Sequence, residues 1–491
     1  MVEDEVGITR FSQLLGSSIN GIYKVVVSSL VELVLPPRGS DENIETMSEA
    51  RAIPRLVNLL DSRHDDCVEG ALRLLVAAKD HIKTSVYESL LPHLIRMMKS
   101  FKFFYWNYQA NQSNDKIEYL KNCSALLRMV LEGRRRPIQL MIDSIALPTL
   151  LDVLQLANDD AVKMNLSHVM LSLLEGRKDQ VEVLLKEAGV LDLLISLVTS
   201  SDVDISSKTI LVAGDIAVKA DDYRHRLCQA GLVTSLLRVL GNTSSNVSVL
   251  KAAAETFSKC CRDNPMDAAT TKASLSVLNK ALVHEDEDVV TYSCEAVFHI
   301  LSGWTGEELK EATNMGFISA VKSSELNKEI NEIVEQLLNL ISHDDNSLAN
   351  THAIKAIHLI SSVGDIKAIT LRNGISRITK LLFDYNNGNV RELACGTISN
   401  IITDDEDQIQ TAIDNNTVPG LLHILTKHYW SNRHDAIKVI HQMTKAGDNK
   451  QIKYLVSQDC IRHLCGLLTK SDSGVTSIAL LVLKDIQGWT R

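Results

Sequence analysis

The sequence predicts an all-α protein built from one repeated helical unit. A small turn, an aliphatic residue and a two-turn apolar run recur along most of the chain, as in "AIPRLVNLL", "VLDLLISLV" and "CIRHLCGLL". Each copy is followed by a polar loop and a longer segment with helical apolar periodicity. Aromatic residues make up only 4% of the chain and proline only 8 of its 491 residues, which favours a helical fold.

The spacing of the copies predicts the architecture. Their aliphatic residues are Ile53, Leu91, Leu147, Leu191, Val233, Leu275, Ile318, Ile375, Val418 and Ile461. The successive intervals are 38, 56, 44, 42, 42, 43, 57, 43 and 43 residues. Units of this length with two or three helices are typical of armadillo and HEAT repeats. The sequence therefore predicts a right-handed superhelical solenoid of about ten armadillo repeats over residues 46–491, with a concave groove.

Three segments depart from the repeat. Residues 1–45 contain "YKVVVSSLVELVLPPRGSDEN", which predicts an N-terminal capping helix followed by a turn and an acidic linker. An insertion near 100–118 is rich in aromatic residues and predicts a helix extension that packs them, with an exposed contact loop as the alternative. An insertion near 322–348 alternates charges around an apolar stripe, which predicts an extra helix.

Charge and cysteine usage narrow the function classes. A net charge of −10 gives no general attraction to nucleic acid or anionic lipid, so we expect neither nucleic-acid nor membrane partners. No apolar run approaches the roughly 18 residues of a membrane span, and the first residues are acidic, which predicts a cytoplasmic and nuclear protein. Nine scattered cysteines in mostly apolar patterns indicate buried, reduced thiols.

An enzymatic function has little support. The sequence contains no phosphate-binding loop, nucleophile elbow or metal-spaced cluster, so we expect no catalytic residue, no metal and no cofactor. His225 and Cys228 lie three residues apart, but isolated His and Cys residues on a helix are usually structural. The basic run "GRRRP" at 133–137 is either a contact for a phosphate or an acidic partner, or solvated charge.

Several stretches resemble the importin-α family, the armadillo adaptors that carry cargo bearing nuclear-localisation signals. The likeness is closest in "ELACGTISNI", "DEDQIQTAIDNNTVPGLLHIL" and "DNKQIKYLVSQDCIRHLCGLL", which resemble the last three repeats of that family. Between about residues 250 and 488 the residues themselves resemble the family's sequence. Before residue 250 only the repeat period and the apolar pattern are similar. The resemblance implies a protein or extended-peptide partner in the groove and contact of the C-terminal repeats with a nuclear export receptor.

The resemblance also implies where binding occurs. In the family, a Trp and an Asn four residues later face the groove from the third helix of each repeat. The indoles hold the stems of cargo lysines, and the amides bond the peptide backbone. Here the Trp places hold His168, Leu211, Glu255, Glu295, Lys355, Gly396 and Lys438. The Asn places hold Ser172, Asp215, Lys259, His299, Leu359, Asn400 and Gln442.

Replacement of the indoles predicts weak binding to short Lys/Arg signals, because each missing cation–π interaction weakens binding by on the order of 1 kcal/mol. Trp106, Trp304, Trp430 and Trp489 all lie elsewhere. The charges at the Trp and Asn places suit a peptide with one basic and one acidic end, and the alternative is a solvated face without a ligand. Importin-α proteins also begin with a basic arm that binds importin-β. Residues 1–45 hold three basic and seven acidic residues, so importin-β binding is not expected.

Two functions remain once an enzymatic function is set aside. The first is a non-enzymatic importin-α-like adaptor in nuclear protein import, with weakened binding of classical signals. The second is an armadillo scaffold for protein interactions unrelated to transport.

Overall fold

The computed structural model describes residues 2–15, 22–107, 114–133, 137–144, 146–242, 245–262, 266–303, 324–341, 348–362, 370–383, 387–402, 406–426, 433–469 and 473–489. All regular secondary structure within these ranges is helical, which confirms the predicted all-α class. The chain divides into two compact units, residues 1–232 and 233–491. No helix in the described ranges is long and apolar enough to cross a membrane.

The N-terminal unit contains fourteen α-helices within the described residues. They are α1 Val2–Leu14, α2 Ile22–Val34, α3 Asp41–Glu49, α4 Ala52–Leu59, α5 Asp65–Ala77, α6 Thr84–Asn107, α7 Asn114–Glu132, α8 Ile138–Asp143, α9 Leu147–Leu156, α10 Asp160–Leu174, α11 Lys178–Lys186, α12 Val190–Val198, α13 Val203–Lys219 and α14 Asp221–Gln229. Residues 1–45, where one capping helix was predicted, hold α1, α2 and the start of α3.

The C-terminal unit begins within the next helix and continues the same pattern. Its helices are α15 Leu232–Leu240, α16 Val247–Cys261, α17 Ala268–Ala281, α18 Glu287–Ser302, α19 Ser324–Leu340, α20 Leu348–Ser362, α21 Thr370–Leu381, α22 Gly388–Ile401, α23 Glu406–Asp414, α24 Thr417–Thr426, α25 Arg433–Ala446, α26 Asn449–Ser457, α27 Cys460–Leu467 and α28 Ser473–Trp489.

The two predicted insertions lie partly within the described residues. Helix α6 continues to Asn107, while residues 108–113 lie outside the described ranges. Helix α19 occupies most of the second insertion. Residues 304–323, which include the motif at Ile318, and residues 342–347 also lie outside these ranges.

The small turn of the repeat motif has a defined backbone conformation. In five repeats the residue directly before the second helix has a left-handed backbone. Glycine adopts this conformation without a steric penalty, which explains Gly189 before α12 and Gly231 before α15, with φ of 87° and 99°. The other three positions are Arg51, Asn416 and Asp459. The turn lets the second helix reverse and cover the apolar face of the third helix.

Apolar residues at helical spacing form the core of each unit. In α10, for example, Val162, Leu166, Val169 and Leu173 are buried. The third helices begin at N-cap residues such as Asp159, whose carboxylate accepts hydrogen bonds from two backbone N–H groups of α10. Caps and burial together fix where each third helix starts and which face it turns inward.

Candidate peptide-binding surface

Within each unit the third helices of successive repeats lie side by side. In the N-terminal unit α5, α7, α10 and α13 contact one another in order, and in the C-terminal unit α16, α18, α20, α22, α25 and α28 do so. We call each row a third-helix ladder. Every residue predicted at a Trp or Asn place lies on one of these helices, from His168 on α10 to Gln442 on α25. The ladders are therefore the candidate binding surface.

On the N-terminal ladder the predicted pair on α10 is covered by neighbouring side chains. His168 and Ser172 are buried, although a groove-facing position was predicted for both. Glu132 of α7 reaches His168, with Oε1 3.3 Å from Nδ1. Lys208 of α13 extends back across α10, and its Nζ lies 3.8 Å from Glu132 Oε1 and 3.9 Å from Glu175 Oε1. This ion bridge connects α7 to α13 and passes beside the buried His168.

The buried imidazole is neutral near pH 7. Burial lowers the pKa of His168, and the nearby Arg128 guanidinium lowers it further, while Glu132 raises it. Arg128 Nε also lies 3.1 Å from both carboxylate oxygens of Glu132. Glu132 therefore faces two permanent cations, Arg128 and Lys208, and one neutral ring.

The pair predicted on α13 differs, because both of its residues are exposed. Leu211 is 38% exposed, and Asp215 one turn later is exposed as well. The next turn holds Val218, which is 54% exposed. This face of α13 therefore presents two aliphatic side chains with a carboxylate between them.

The two acidic residues predicted at Trp places lie at the start of the C-terminal ladder, each beside a basic side chain. Lys259 Nζ lies 2.9 Å from Glu255 Oε1 on the same helix. Glu295 Oε1 lies 3.6 Å from Arg262 NH2 and 3.6 Å from His299 Nε2. These two separations exceed hydrogen-bonding distance, so the attraction is mainly electrostatic. The start of the C-terminal ladder is therefore not a free acidic patch.

The Glu295 carboxylate is nevertheless strongly acidic. Contact with His299 lowers the pKa of Glu295 to about 2, burial opposes this change, and the Ser258 hydroxyl supports it. The imidazole of His352 on α20 also favours the ionised form, and burial lowers the pKa of His352 itself. Glu295 thus links three neighbouring third helices through its charge.

The two predicted lysines have different surroundings. Lys355 Nζ lies 5.7 Å from the ring centroid of Phe298 on α18, a cation–π contact, and forms no ion pair with the described residues. Lys438 is exposed on α25, with Nζ 4.0 Å from Asp435 Oδ1 one turn before it. Lys355 is partly exposed and lies against an aromatic ring, whereas Lys438 is exposed.

Gly396 makes room for a side chain from the preceding third helix. A Cβ atom at this position would lie 2.8 Å from Cε1 and 3.3 Å from Nδ1 of His358 on α20. Thr397 Oγ1 lies 3.4 Å from His358 Nδ1 and donates its hydrogen to Leu393 O at 2.6 Å. Because that hydrogen is already used, Nδ1 of His358 is the donor in this contact. The imidazole occupies space that a larger residue at 396 would need.

The two amides at Asn places join neighbouring helices. Three polar contacts connect α20 to α22, α22 to α25 and α25 to α28: Asn400 Nδ2 to Ser361 Oγ at 3.0 Å, Ser399 Oγ to Gln442 Oε1 at 3.0 Å, and His441 Nε2 to Asp485 Oδ2 at 3.4 Å. We call these contacts the polar seam. The Nδ2 group of Asn400 and the Oε1 atom of Gln442 therefore form hydrogen bonds within the ladder.

Sequence reasoning missed the partners of the predicted residues. Glu132, Lys208, His358 and Ser361 were not singled out, although each contacts or lies beside a predicted residue. The signal that could have found the last two is the repeat period. Thr397 and His358 are 39 residues apart, as are Asn400 and Ser361. A polar residue 39 residues earlier, a few less than the 42–44-residue period, is thus a candidate contact.

The alternative sites from the sequence lie partly within the described residues. His225 is exposed, and its Nε2 lies 2.8 Å from Gln229 Nε2 on the same helix. No group of three or more His, Cys, Asp or Glu residues in the described ranges is arranged to hold a metal ion. Residues 134–136 of the basic run lie outside those ranges. Most cysteines are buried as predicted, except Cys228, which is partly exposed, and Cys465, which is exposed.

Comparison with known proteins agrees with this architecture. The armadillo/beta-catenin-like repeat family matches residues 40–76, the segment of α3 to α5. Importin subunit alpha-1b of Oryza sativa subsp. japonica is 25% identical over 400 residues, covering 81% of this chain and 71% of the relative. Importin subunit alpha-5 of Arabidopsis thaliana is 26% identical over 430 residues, covering 87% and 77%. Importin subunit alpha-4 of Arabidopsis thaliana is 23% identical over 384 residues, covering 77% and 67%.

Helical repeats stacked through their third helices, together with the family match, define an all-α armadillo-repeat protein. The similarity to several importin subunits extends over most of the chain. The chain is importin-α-like over most of its length, with an armadillo repeat matched at residues 40–76.

Proposed function

We propose that this chain is a non-catalytic adaptor that binds a protein or an extended peptide on its third-helix ladders. Its place is nuclear protein transport, between cytoplasm and nucleus, with weak affinity for short Lys/Arg signals. The family likeness supports the transport role. The side chains at the Trp and Asn places support the weakened affinity.

One observation carries the proposal of weak signal binding. No Trp place holds Trp, Tyr or Phe, and the imidazole at one of them, His168, is buried. The space at Gly396 is filled by the imidazole of His358. The amides of Asn400 and Gln442 already bond to neighbouring helices. A basic peptide would therefore find no stacking platform, and only part of each amide, at the positions of Asn400 and Gln442.

A fluorescence titration with a labelled basic nuclear-localisation peptide tests this proposal. We expect a Kd of about 10 µM or weaker at 0.15 M salt, because several cation–π contacts of on the order of 1 kcal/mol each are missing. The same peptide with every lysine replaced by alanine is the control for non-specific binding. Sub-micromolar affinity that depends on the lysines would overturn the proposal.

A pull-down with purified transport factors separates the two remaining functions. A transport adaptor should retain a nuclear export receptor through its C-terminal repeats, whereas importin-β should bind weakly or not at all. A scaffold unrelated to transport should retain neither factor. Most residues at the Trp and Asn places contact neighbouring side chains of the ladder. This favours the scaffold, because a surface with such different side chains suits a different ligand.

A further inference from the structure

A surface pocket lies within the C-terminal unit, where the third helices α16 and α18 begin. Its volume is about 530 Å³, within the range of about 300–1,000 Å³ that is usual for ligand sites. It is lined by Val247, Lys280, Val283, His284, Glu285 and Asp286. The first of these opens α16, and the others belong to the end of α17 and the loop before α18. We propose that this pocket binds a segment of a partner protein in which an aliphatic side chain stands next to a basic residue.

Two valines give the pocket an apolar lining that the core does not use. Val247 is 44% exposed and Val283 is 61% exposed. Leu348, the first residue of α20, is 62% exposed. The helices α16, α18 and α20 lie side by side, so these three aliphatic residues mark the starts of three successive third helices. Single exposed aliphatic residues are common, but a row of three at corresponding helix ends indicates a contact surface.

Hydrogen bonds hold the polar side of the pocket in one arrangement. His284 Nδ1 accepts a hydrogen bond from the backbone N–H of Asp286 at 3.0 Å, so Nε2 carries the proton of the neutral ring. Asp286 Oδ1 accepts hydrogen bonds from the N–H groups of Asp288 and Val289 at 3.1 and 3.2 Å. Its other oxygen, Oδ2, lies 3.0 Å from Lys251 Nζ. The loop is therefore ordered before a ligand arrives, which lowers the entropic cost of binding.

The charge around the pocket favours a basic partner. Four carboxylates surround it, against two ammonium groups, which leaves two net negative charges: Glu285, Asp286, Glu287 and Asp288 against Lys251 and Lys280. Lys251 Nζ lies 3.0 Å from Asp286 and 2.9 Å from Asp288, so these two carboxylates already share one cation. Glu285 is exposed and forms no ion pair with the described residues. Its carboxylate is therefore the contact for the basic residue beside the aliphatic anchor.

This site goes beyond the proposed function, because it lies away from the Trp and Asn places. Val247 precedes Glu255 on α16 by eight residues, which corresponds to about 12 Å along the helix. Asp286 precedes Glu295 by nine residues. The pocket and the ladder positions can therefore be tested separately.

Methyl NMR of the full chain with labelled valines measures binding at the pocket directly. The probes are two short capped peptides of glycine and serine, one with a central leucine–arginine pair and the other with leucine–glutamate. We expect the leucine–arginine peptide to shift the methyl signals of Val247 and Val283 with a Kd of about 1 mM, as suits one apolar anchor and one exposed ion pair. The leucine–glutamate peptide should bind at least about threefold more weakly.

Matched variants separate the apolar contact from the charge. Val283→Ser should weaken binding, read from the Val247 signal, by about fivefold, because apolar contact is lost. Val456→Ser, at an exposed valine of α26, should leave the affinity unchanged. Glu285→Gln should weaken binding by about threefold, whereas Glu335→Gln, at an exposed position of α19, should not. All four side chains are exposed, so the fold should persist, which circular dichroism checks.

Unshifted Val247 and Val283 signals at millimolar leucine–arginine peptide would overturn the proposal. Tighter binding of the leucine–glutamate peptide, or equal effects of Val283→Ser and Val456→Ser, would do so as well. Signals that move with protein concentration in the absence of peptide would assign the pocket to a second copy of this chain and also overturn it. The proposed function fails on a different measurement, the titration with the nuclear-localisation peptide.

Discussion

Two residues of neighbouring third helices are adapted to each other at Gly396. A glycine within a helix costs roughly 1 kcal/mol relative to alanine. Here the absence of a side chain at Gly396 leaves room for the imidazole of His358. Burial lowers the pKa of His358 below its ordinary value, and the carboxylates of Asp435 and Glu392 partly oppose this change. The ring contacts Thr397 and closes the gap between α20 and α22. The lower helix propensity is thus offset by packing.

We expect Gly396→Ala to lower the free energy of unfolding by about 1 kcal/mol, because its methyl group must displace the imidazole. In a His358→Ala background the same substitution should instead be stabilising by up to about 1 kcal/mol, the usual gain in helix propensity. Urea unfolding of the four proteins measures the coupling. Gly466→Ala on α27 is the matched control, since no atom lies within 4 Å of its new Cβ. A stabilising Gly396→Ala would contradict the packing argument.

The acidity of Glu295 predicts a dependence of stability on pH. Its folded pKa of about 2 lies below the ordinary value of 4.5. The carboxylate therefore contributes stability that is complete above about pH 4.5 and lost as the pH falls toward 2, by up to about 3 kcal/mol. Glu295→Gln lacks this contribution. The difference in free energy of unfolding between wild type and variant should shrink between pH 5 and pH 2.

Urea unfolding at a series of pH values measures that difference. His299→Ala serves as the second variant, because the His299 ring is the main cause of the lowered pKa of Glu295. Its removal should raise this pKa, so that stability is lost at a higher pH. A difference between wild type and Glu295→Gln that stays constant from pH 6 to pH 2 would show that the carboxylate is not stabilised in the folded chain.

At the scale of helices, periodicity predicted most elements but not their contacts. The apolar spacing in "RELACGTISNI" indicates a helix, and α22 spans Gly388–Ile401. The resemblance to the importin-α family then placed Asn400 at a binding position. It gave no sign that the amide bonds to Ser361 on α20, because the contact depends on the rotation of two helices about their axes. Side-chain pairing across a ladder is fixed by tertiary packing, which local sequence does not encode.

The same limit explains the pair on α10. The sequence of α10 is apolar on nearly every face, and a helix that is apolar all round is expected to be buried. That signal pointed to buried positions for His168 and Ser172. The family resemblance assigns a groove-facing role to those positions, and the structure buries both. The ion bridge from α7 to α13 depends on residues two helices apart and could not be read from either segment alone.

At the scale of the whole molecule, each unit is a stack in which a helix touches mainly its neighbours. Stability in such arrays is approximately a sum of contributions from each repeat and its two interfaces. The polar seam lies at these interfaces, from α20 to α28. Damage to one seam contact should therefore remain local rather than weaken the full stack.

Asn400→Ala tests this locality and the structural role of the amide together. Removing the bond to Ser361 should cost about 1 kcal/mol, so amide hydrogen exchange in α20 and α22 should become roughly fivefold faster. Exchange in α16, two ladder steps from α20, should not change. Asn389→Ala, at an exposed position of α22, is the matched control and should leave all rates unaltered. Unchanged exchange in α22 would mean that Asn400 contributes nothing to the seam, and equal acceleration in α16 would show that the stack does not open one interface at a time.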